Sequence, residues 1–138
     1  MGHGVLRDPA EAYKLFHSAA QQGDADGEFY IGAKAVLSHE GLTSGLEYLR
    51  LSAEQGNRDA QLLLGQTYLR GIGSAVRPDP ARADMWLRLA AKNNLPFYRL
   101  QLEAAERQMT ALQIAKGKAL AAKWKPKHGL KPPASPGS

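Results

Sequence analysis

The chain has 138 residues, enough for one domain with a modest core, and its hydrophobic content of 43% and charged content of 22% are typical of globular proteins. It contains no cysteine, which excludes disulfides and thiolate chemistry, and no apolar run approaches the length needed to span a membrane. The net charge of +5 is unevenly placed: residues 1–69 hold 5 Lys/Arg and 9 Asp/Glu, a net of −4, whereas residues 70–138 hold 13 and 4, a net of +9.

The first predicted helix begins at Pro9. Residues 1–7 are expected to form a loop, after which Asp8 is a favourable N-cap and Glu11 completes a capping box. This helix should end near Gln22, with Gly23 in a left-handed conformation. Helical spacing predicts a buried stripe made of Ala12, Leu15, Phe16, Ala19 and Ala20.

Two helix pairs are predicted next. The first covers about 25–38 and then a helix that begins after Thr43 or Ser44 and ends at Gly56, and the second covers about 58–70 and 80–92. A turn-rich loop at 71–79 lengthens the second pair.

After Asn94 the pattern changes. Pro96 opens a helix to about Met109, and Thr110 with Gln113 forms a capping box for a last helix to about Trp124. The apolar face of that last helix is expected to consist of Leu112, Ala115, Ala119 and Ala122. A basic patch on its solvent side would consist of Lys116, Lys118, Lys123 and Lys125. Residues 126–138 are too poor in apolar side chains to fold and are expected to form a disordered, basic, proline-rich tail.

One pattern occurs three times, at residues 12–23, 45–56 and 83–94. The offsets are 33 residues from Gly23 to Gly56 and 38 residues from Gly56 to Asn94. A period in the thirties with helical patterning is typical of a solenoid, in which each helix pair buries its apolar face against its neighbours. Because solenoids mostly bind other proteins, the pattern favours a binding surface over a reaction centre.

The most specific signature lies in the second predicted helix pair, at residues 60–91. Ala60, the Leu64–Gly65 pair, Tyr68 three residues later and the loop Gly71–Ile72–Gly73 precede Asp79 and an amphipathic helix. That helix carries Ala83, Trp86, Leu87, Ala90 and Ala91. The pattern resembles the Sel-one-like repeat (SLR) family, a branch of the tetratricopeptide-like (TPR-like) α-solenoids, over most of residues 2–125. The resemblance is weaker in the first predicted helix pair, where Ile31–Gly32 is kept but Ala35 replaces the tyrosine.

The resemblance implies an all-α fold: a right-handed TPR-like superhelix of antiparallel helix pairs with a C-terminal capping helix. The solenoid would cover 1–125, as a partial repeat 1–23, repeats 24–56 and 57–94, and capping helices 95–125. Gly65 and Gly32 would let helices approach closely, and small alanines would admit Trp86 and Tyr48. Gly2–His3–Gly4–Val5 matches the inter-helix loop of the family, so the chain is expected to begin in mid-repeat, as a piece of a longer protein or with the missing helix supplied by another chain.

The residues offer poor support for an enzyme or a cofactor site. Four histidines, at 3, 17, 39 and 128, lie far apart and form no HExxH motif or cluster with carboxylates. The loop Gly71–Ile72–Gly73 follows a helix rather than a strand and is too short for a dinucleotide loop. A hydrolase and a nucleic-acid-binding protein are therefore minor alternatives, because only Trp124 would offer base stacking beside the basic patch. A membrane-surface role is equally weak, since the expected apolar face of the last helix is mostly alanine.

In solenoids of this type, the first helix of each pair lines the concave side. Repeat-equivalent positions there are expected to form an apolar groove for a peptide or partner helix. Its residues would be Phe29, Ala33, Val36, Leu62, Gln66, Leu69, Arg70 and Leu100. The alternative is that these apolar side chains, Phe29 and Leu62 above all, pack between helices as part of the core.

The resulting hypothesis is a non-enzymatic scaffold or adaptor that binds protein or peptide, without cofactor, metal or small-molecule substrate. The resemblance implies a bacterial adaptor or regulator. A self-associating structural module is the alternative, because an acidic front half and a basic rear half favour head-to-tail stacking. Arg7, Asp8 and Glu11 interrupt any signal-peptide core, so a cytoplasmic location is expected for the chain as it stands, or a periplasmic one if it is a fragment of an exported protein.

Overall fold

The computed structural model describes residues 8–133, and this part of the chain forms seven α-helices. They are α1 (Pro9–Gln21), α2 (Ala25–Ser38), α3 (Leu42–Glu54), α4 (Arg58–Arg70), α5 (Pro80–Ala90), α6 (Pro96–Glu106) and α7 (Ala111–Lys123). A 3₁₀ turn at Lys92–Asn94 joins α5 to α6, and an isolated antiparallel bridge pairs Ile72 with Val76 in the α4–α5 loop. The expected all-helical fold is thereby confirmed, whereas the predicted loop at Gly2–Val5 lies outside the described residues.

Side-chain caps explain where most helices begin. Asp8 Oδ1 accepts a hydrogen bond from Ala10 N at 3.0 Å, and Asp24, Asn57 and Asp79 cap α2, α4 and α5 in the same way. Thr110 and Gln113 form the predicted capping box of α7. Two helices lack a side-chain cap: α3 begins at Leu42 after Gly41, a residue at φ +63°, and α6 begins at Pro96 after Leu95. The predicted start of α3 after Thr43 or Ser44 was therefore too late along the chain.

The helices form two layers. One contains α2, α4 and α6, and the other contains α1, α3, α5 and α7. Consecutive helices from α1 to α5 pack tightly across the layers, and α2 also contacts α4 directly. Within the second layer α7 packs closely on α5, whereas α1 and α3, and likewise α3 and α5, meet only marginally. Clefts therefore remain between the helices of that layer.

Two glycines of the repeat pattern sit where helices meet. A Cβ on Gly32 would lie 2.7 Å from the Cβ of Leu49, and one on Gly65 would lie 2.7 Å from the Cγ of Leu87. Real Cβ contacts are never so short, so only glycine allows α2 to approach α3 and α4 to approach α5 as they do.

The hydrophobic core consists of apolar residues that belong to the repeat pattern. Its main cluster consists of Leu49, Ala53, Ala60, Leu64 and Trp86, and a second cluster of Ala20, Ile31 and Tyr48 lies beneath α1. The expectation that small alanines would admit Trp86 and Tyr48 agrees with this packing, since both rings are buried.

The predicted stripe on α1 is only partly buried. Ala20 is fully buried and Ala12 and Ala19 are half-buried, whereas Leu15 and Phe16 are exposed. Phe16 nonetheless stacks on Tyr30 of α2, with ring centroids 4.2 Å apart.

The prediction of which residues form the buried face of α7 was wrong. Leu112, Ala115, Ala119 and Ala122 are exposed. The face on α5 instead contains the buried Gly117 and the half-buried Ile114 and Ala121. A Cβ on Gly117 would lie 2.5 Å from both Cβ and Oδ1 of Asp84, so the absence of a side chain is what seats α7. An alanine-rich helix has small residues on every side, and the close contact with Asp84 of α5 requires the smallest of them, Gly117.

Residues 126–133 run without regular structure along α3. Lys127 N donates to the carbonyl oxygen of Glu54 at 2.8 Å, and Lys127 Nζ lies 3.2 Å from Glu54 Oε2. Leu130 and Pro133 are half-buried, and Pro133 lines a cavity beside Thr43 at the other end of α3. Part of the stretch expected to be a disordered tail therefore makes defined contacts. Residues 134–138 lie outside the described range.

Candidate partner-binding site

The predicted groove residues are distributed over α2, α4 and α6, and the exposed ones, Arg70 and Leu100, lie at the end of α4 and on α6. On α2, Phe29, Ala33 and Val36 are half-buried, and both Phe29 and Val36 pack against the main core cluster. On α2, therefore, the alternative of core packing describes Phe29 and Val36 better than an open groove does.

The positions on α4 and α6 are not among the side chains that pack against the main core cluster. Leu62, Gln66 and Leu69 are half-buried, and Arg70 is exposed at the end of α4. Leu100, the equivalent of Leu62, is 59% exposed on α6. Gln66 Nε2 donates to Gln101 Oε1 at 3.3 Å, which joins α4 to α6 within this layer.

Two apolar residues of α6 were missed by the sequence analysis. Phe97 is 57% exposed, and Leu95, just before the helix, is 40% exposed. Phe97 precedes Leu100 by three residues, so helical spacing places the two on one side and could have identified the pair. Together with Leu62 and Leu69 they make α4 and α6 the most accessible apolar part of the predicted groove.

A polar contact fixes α6 on α4. Tyr98 Oη donates to Asp59 Oδ1 at 2.6 Å, and the guanidinium carbon of Arg58 lies 5.4 Å from the centroid of the Tyr98 ring. The hydrogen bond to Asp59 is the largest cause of a raised pKa of Tyr98, so the phenol remains a proton donor at neutral pH. The exposed apolar side chains of α6 are thus presented from a helix held at its N-terminal end.

Two cavities of similar size lie on the other side of the molecule, and none of the predicted groove residues lines either of them. One, of about 740 Å³, lies between α3, α4 and the 71–79 loop, with Pro133 at its edge. The other, of about 730 Å³, lies between α1, α2 and α3. Neither cavity could be predicted from the sequence, because both arise from the spacing of helices that are distant in sequence.

Buried carboxyl groups mark two helix junctions. Glu28 is fully buried beneath α3, where its Oε1 accepts a hydrogen bond from Gln55 Nε2. Burial, with a further contribution from Asp24, raises the pKa of Glu28 to about 7. Its Oε2 has no hydrogen-bond partner among residues 8–133, which suits a protonated acid better than an ion.

The second junction pairs two carboxyl groups with one arginine. Arg88 Nε donates to the fully buried Asp84 at 3.1 Å, and Arg88 Nη2 donates to Glu106 at 2.6 Å. A hydrogen bond with Asp84, followed by burial, raises the pKa of Glu106 to about 7. A proton on Glu106 would supply the partner that Asp84 Oδ2 otherwise lacks within the described range. The cluster joins α5 to α6 and stabilises the packing of these two helices.

The predicted basic patch is exposed but divided. Lys116 and Lys123 lie two turns apart on one edge of α7, and Lys118 lies on the opposite edge, with the buried Gly117 between them. Lys125 follows the helix and is exposed as well. Across residues 8–133, no three His, Asp or Glu side chains come close enough together to hold a metal ion. Nor does that range contain a helix with the length and hydropathy to cross a membrane.

Comparison with known proteins supplies the family. The Sel1 repeat matches residues 1–24, 42–57 and 58–95, and it leaves out the whole of α2, where the sequence departs from the repeat pattern. Chitin synthase regulatory factor 2 of Schizosaccharomyces pombe is 29% identical over 96 residues, which are 66% of this chain and 19% of that protein. The chain thus spans about a fifth of the length of this relative.

A solved structure shows the same architecture. It is the crystal structure of c5321, a protective antigen present in uropathogenic Escherichia coli strains that displays an SLR fold. The two superpose with a TM-score of 0.68 at 29% identity, over 80% of this chain and 24% of that one. The profile match, this superposition and the glycine-mediated packing of α2 on α3 and of α4 on α5 agree: the chain belongs to the Sel1 repeat family.

Proposed function

We propose that the chain is an interaction module that binds a peptide or a partner helix across α2, α4 and α6, without a cofactor. Sel1 repeats generally mediate protein–protein interactions. The observation that supports this site is the apolar character of α4 and α6: Leu100, the equivalent of Leu62, and Phe97 are exposed, and Leu62 and Leu69 are half-buried. An apolar strip at helical spacing suits a partner that inserts a few anchoring side chains.

The relatives favour an adaptor or regulatory role. One is named a regulatory factor of chitin synthase and another a protective antigen. Neither name implies chemistry at a reaction centre, which accords with a non-enzymatic scaffold. Since the two come from Schizosaccharomyces pombe and Escherichia coli, a bacterial source for this chain stays a prediction.

The site is tested by introducing negative charges at two of its apolar positions. We expect Leu69→Glu with Leu100→Glu to lose the protein partner that the wild-type chain captures from its native cell, because two carboxylates would have to be desolvated in the interface. Leu37→Glu is the matched control: Leu37 is 79% exposed on α2, and its substitution leaves Leu69 and Leu100 untouched. Circular dichroism should show equal helicity for all three proteins. Undiminished capture by the double variant would refute the site.

Self-association is the second candidate, supported by exposed apolar side chains at both ends of the helix series. Leu15 lies on α1, and Leu112 lies on α7. Sedimentation equilibrium at low and high salt distinguishes the candidates, since head-to-tail stacking of oppositely charged halves would give a mass that falls as salt rises.

A further inference from the structure

In the layer of α1, α3, α5 and α7, the flanks of two helices are covered by later parts of the chain. The flank of α5 is covered by α7, through the close contact of Gly117 with Asp84. The flank of α3 is followed by the 126–133 segment, from Lys127 at Glu54 to Pro133 near Thr43. On the flank of α1, no other segment of residues 8–133 lines the cavity of about 730 Å³ between α1, α2 and α3.

The cleft beside α1 and the cleft beside α3 are the same place in successive repeats. Four residues of α1, Ala10, Tyr13, Lys14 and His17, line the first cleft. The residues 33 positions later, Thr43, Leu46, Glu47 and Arg50, line the second. In the other layer, Ile31 and Lys34 of α2 correspond in the same way to Leu64 and Thr67 of α4. The second cleft has a proline of the chain itself at its edge, so the first is a site of equivalent shape that no described segment fills.

The first cleft is lined by aromatic rings. Tyr13 stacks on His17 with centroids 5.7 Å apart, and His17 meets the buried Tyr48 edge-on at 6.3 Å. Rings arranged in this way bind proline well, because an extended proline-rich segment is already ordered and presents flat apolar faces.

The charge of the cleft changes between the two repeats. In the wall of the second cleft Glu47 pairs with Arg50, and at its end Glu54 pairs with Lys127 of the basic tail. In the first cleft Lys14 occupies the position of Glu47, Lys34 occupies that of Thr67, and Glu40 is the one acidic residue that the described chain contributes to the lining. The ammonium of Lys34 lies 5.6 Å from the centroid of the Tyr13 ring, so positive charge stands directly beside the aromatic lining.

We propose that the cleft between α1 and α3 binds an extended, proline-containing segment of a partner protein that carries carboxylate groups. The rings of Tyr13, His17 and Tyr48 contact the prolines, and Lys14 and Lys34 pair with the carboxylates. This site is separate from the α2–α4–α6 face, so the two proposals stand independently. A basic tail from a second copy is the competing occupant, and the two lysines repel it.

The probe is a synthetic peptide of three Pro–Pro–Glu units, titrated into the isotope-labelled chain and followed by NMR chemical shifts. We expect saturable shifts at Tyr13, His17 and Tyr48. Lys14→Glu with Lys34→Glu should weaken binding by about tenfold or more, because attraction becomes repulsion at two exposed positions. The matched control is Lys118→Glu with Lys123→Glu on α7, which makes the same change of charge away from the cleft and should bind like the wild type.

Two further peptides decide between occupants. One replaces each glutamate of the probe by lysine, and the other has the sequence of residues 127–138. The proposal is overturned if either binds the cleft as tightly as the acidic probe, if the control variant weakens binding as much as the Lys14 and Lys34 variant does, or if the acidic probe gives no saturable shift. Shifts confined to Leu69 and Leu100 would also overturn it, while leaving the α2–α4–α6 site supported.

Discussion

Gly117 has the strictest steric requirement in the contact between α5 and α7. Its Cα faces Asp84, and an added Cβ would also lie 2.8 Å from the carbonyl oxygen of Ala81. Backbone and a buried side chain stand on the other side, so the neighbours have no free direction in which to move. A conservative change here therefore acts on the docking of the whole helix.

We expect Gly117→Ala to lower the free energy of unfolding by about 1–3 kcal/mol, the usual cost of overpacking, despite the better helix propensity of alanine. Urea unfolding followed by circular dichroism measures this change. Lys118→Ala, at the neighbouring exposed position, is the control and should stay within about 0.5 kcal/mol of the wild type. A stabilised Gly117→Ala protein would show that α7 does not pack on α5 as described.

At the level of whole helices, α7 and the segment after it are fastened to the repeats by Trp124. Its ring meets Trp86 edge-on at 6.2 Å, and its Nε1 donates to Glu54 Oε1 at 2.9 Å. Glu54 also pairs with Lys127, so one carboxylate of α3 receives both the end of α7 and the start of the tail. The contact spans 70 residues of sequence and joins the last helix to the middle of the fold.

Trp124→Ala should destabilise the chain by about 2–4 kcal/mol, because it removes ring packing and leaves the largely buried Glu54 with one donor fewer. Thermal unfolding followed at 222 nm measures the loss. Trp124→Phe separates the two causes, since it keeps most of the packing and removes only the hydrogen bond. An alanine variant no less stable than the phenylalanine variant would mean that the ring packing contributes nothing.

Local rules account for much of this architecture. Asp8, Asp79 and the Thr110–Gln113 pair cap the helices that the sequence predicts, and Gly65 holds the close approach implied by the family pattern. These features could be predicted because each depends on a few adjacent residues or on a contact that recurs from one repeat to the next. The family and the solenoid class follow from them.

What could not be predicted depends on distant contacts. α7 has small residues around its circumference, so its spacing cannot show that Gly117 rather than Ala119 faces α5. Lys127 gives no local sign that it will bind Glu54, 73 residues earlier. The candidate groove was predicted by equivalence between repeats, but whether Val36 packs inward or outward is set by its neighbours across α2 and α4.

For the molecule as a whole, the acids Glu28 and Glu106, which lie at two helix junctions, determine how stability depends on pH. Glu28 and Glu106 each have a pKa of about 7 in the folded state against 4.5 for the ordinary carboxyl group. Between these values the folded state binds more protons than the unfolded state, so the free energy of unfolding rises as pH falls from 8 towards 5. Glu47 does not oppose this trend, because Arg50 lowers its pKa and that contribution is lost only below about pH 4.5.

Urea unfolding at pH 5 and pH 8 measures the effect, and the wild type should be more stable at pH 5. Glu28→Gln with Glu106→Gln should flatten the dependence, since the neutral amides no longer take up protons on folding. Equal slopes for wild type and double variant would assign the pH dependence to other groups.

The described helices are unequally supported, and this has a consequence for motion. α1 packs closely on α2 but reaches α3 only through side chains such as His17 on Tyr48, and Ala20 is its one fully buried residue. α5, by contrast, lies against α4, α6 and α7. Amide hydrogens of α1 should therefore exchange through local opening at a rate well above that of α5, which opens only with the whole domain. Hydrogen-exchange mass spectrometry would record a gradient of protection along the chain, and uniform protection would show that unfolding is all-or-none.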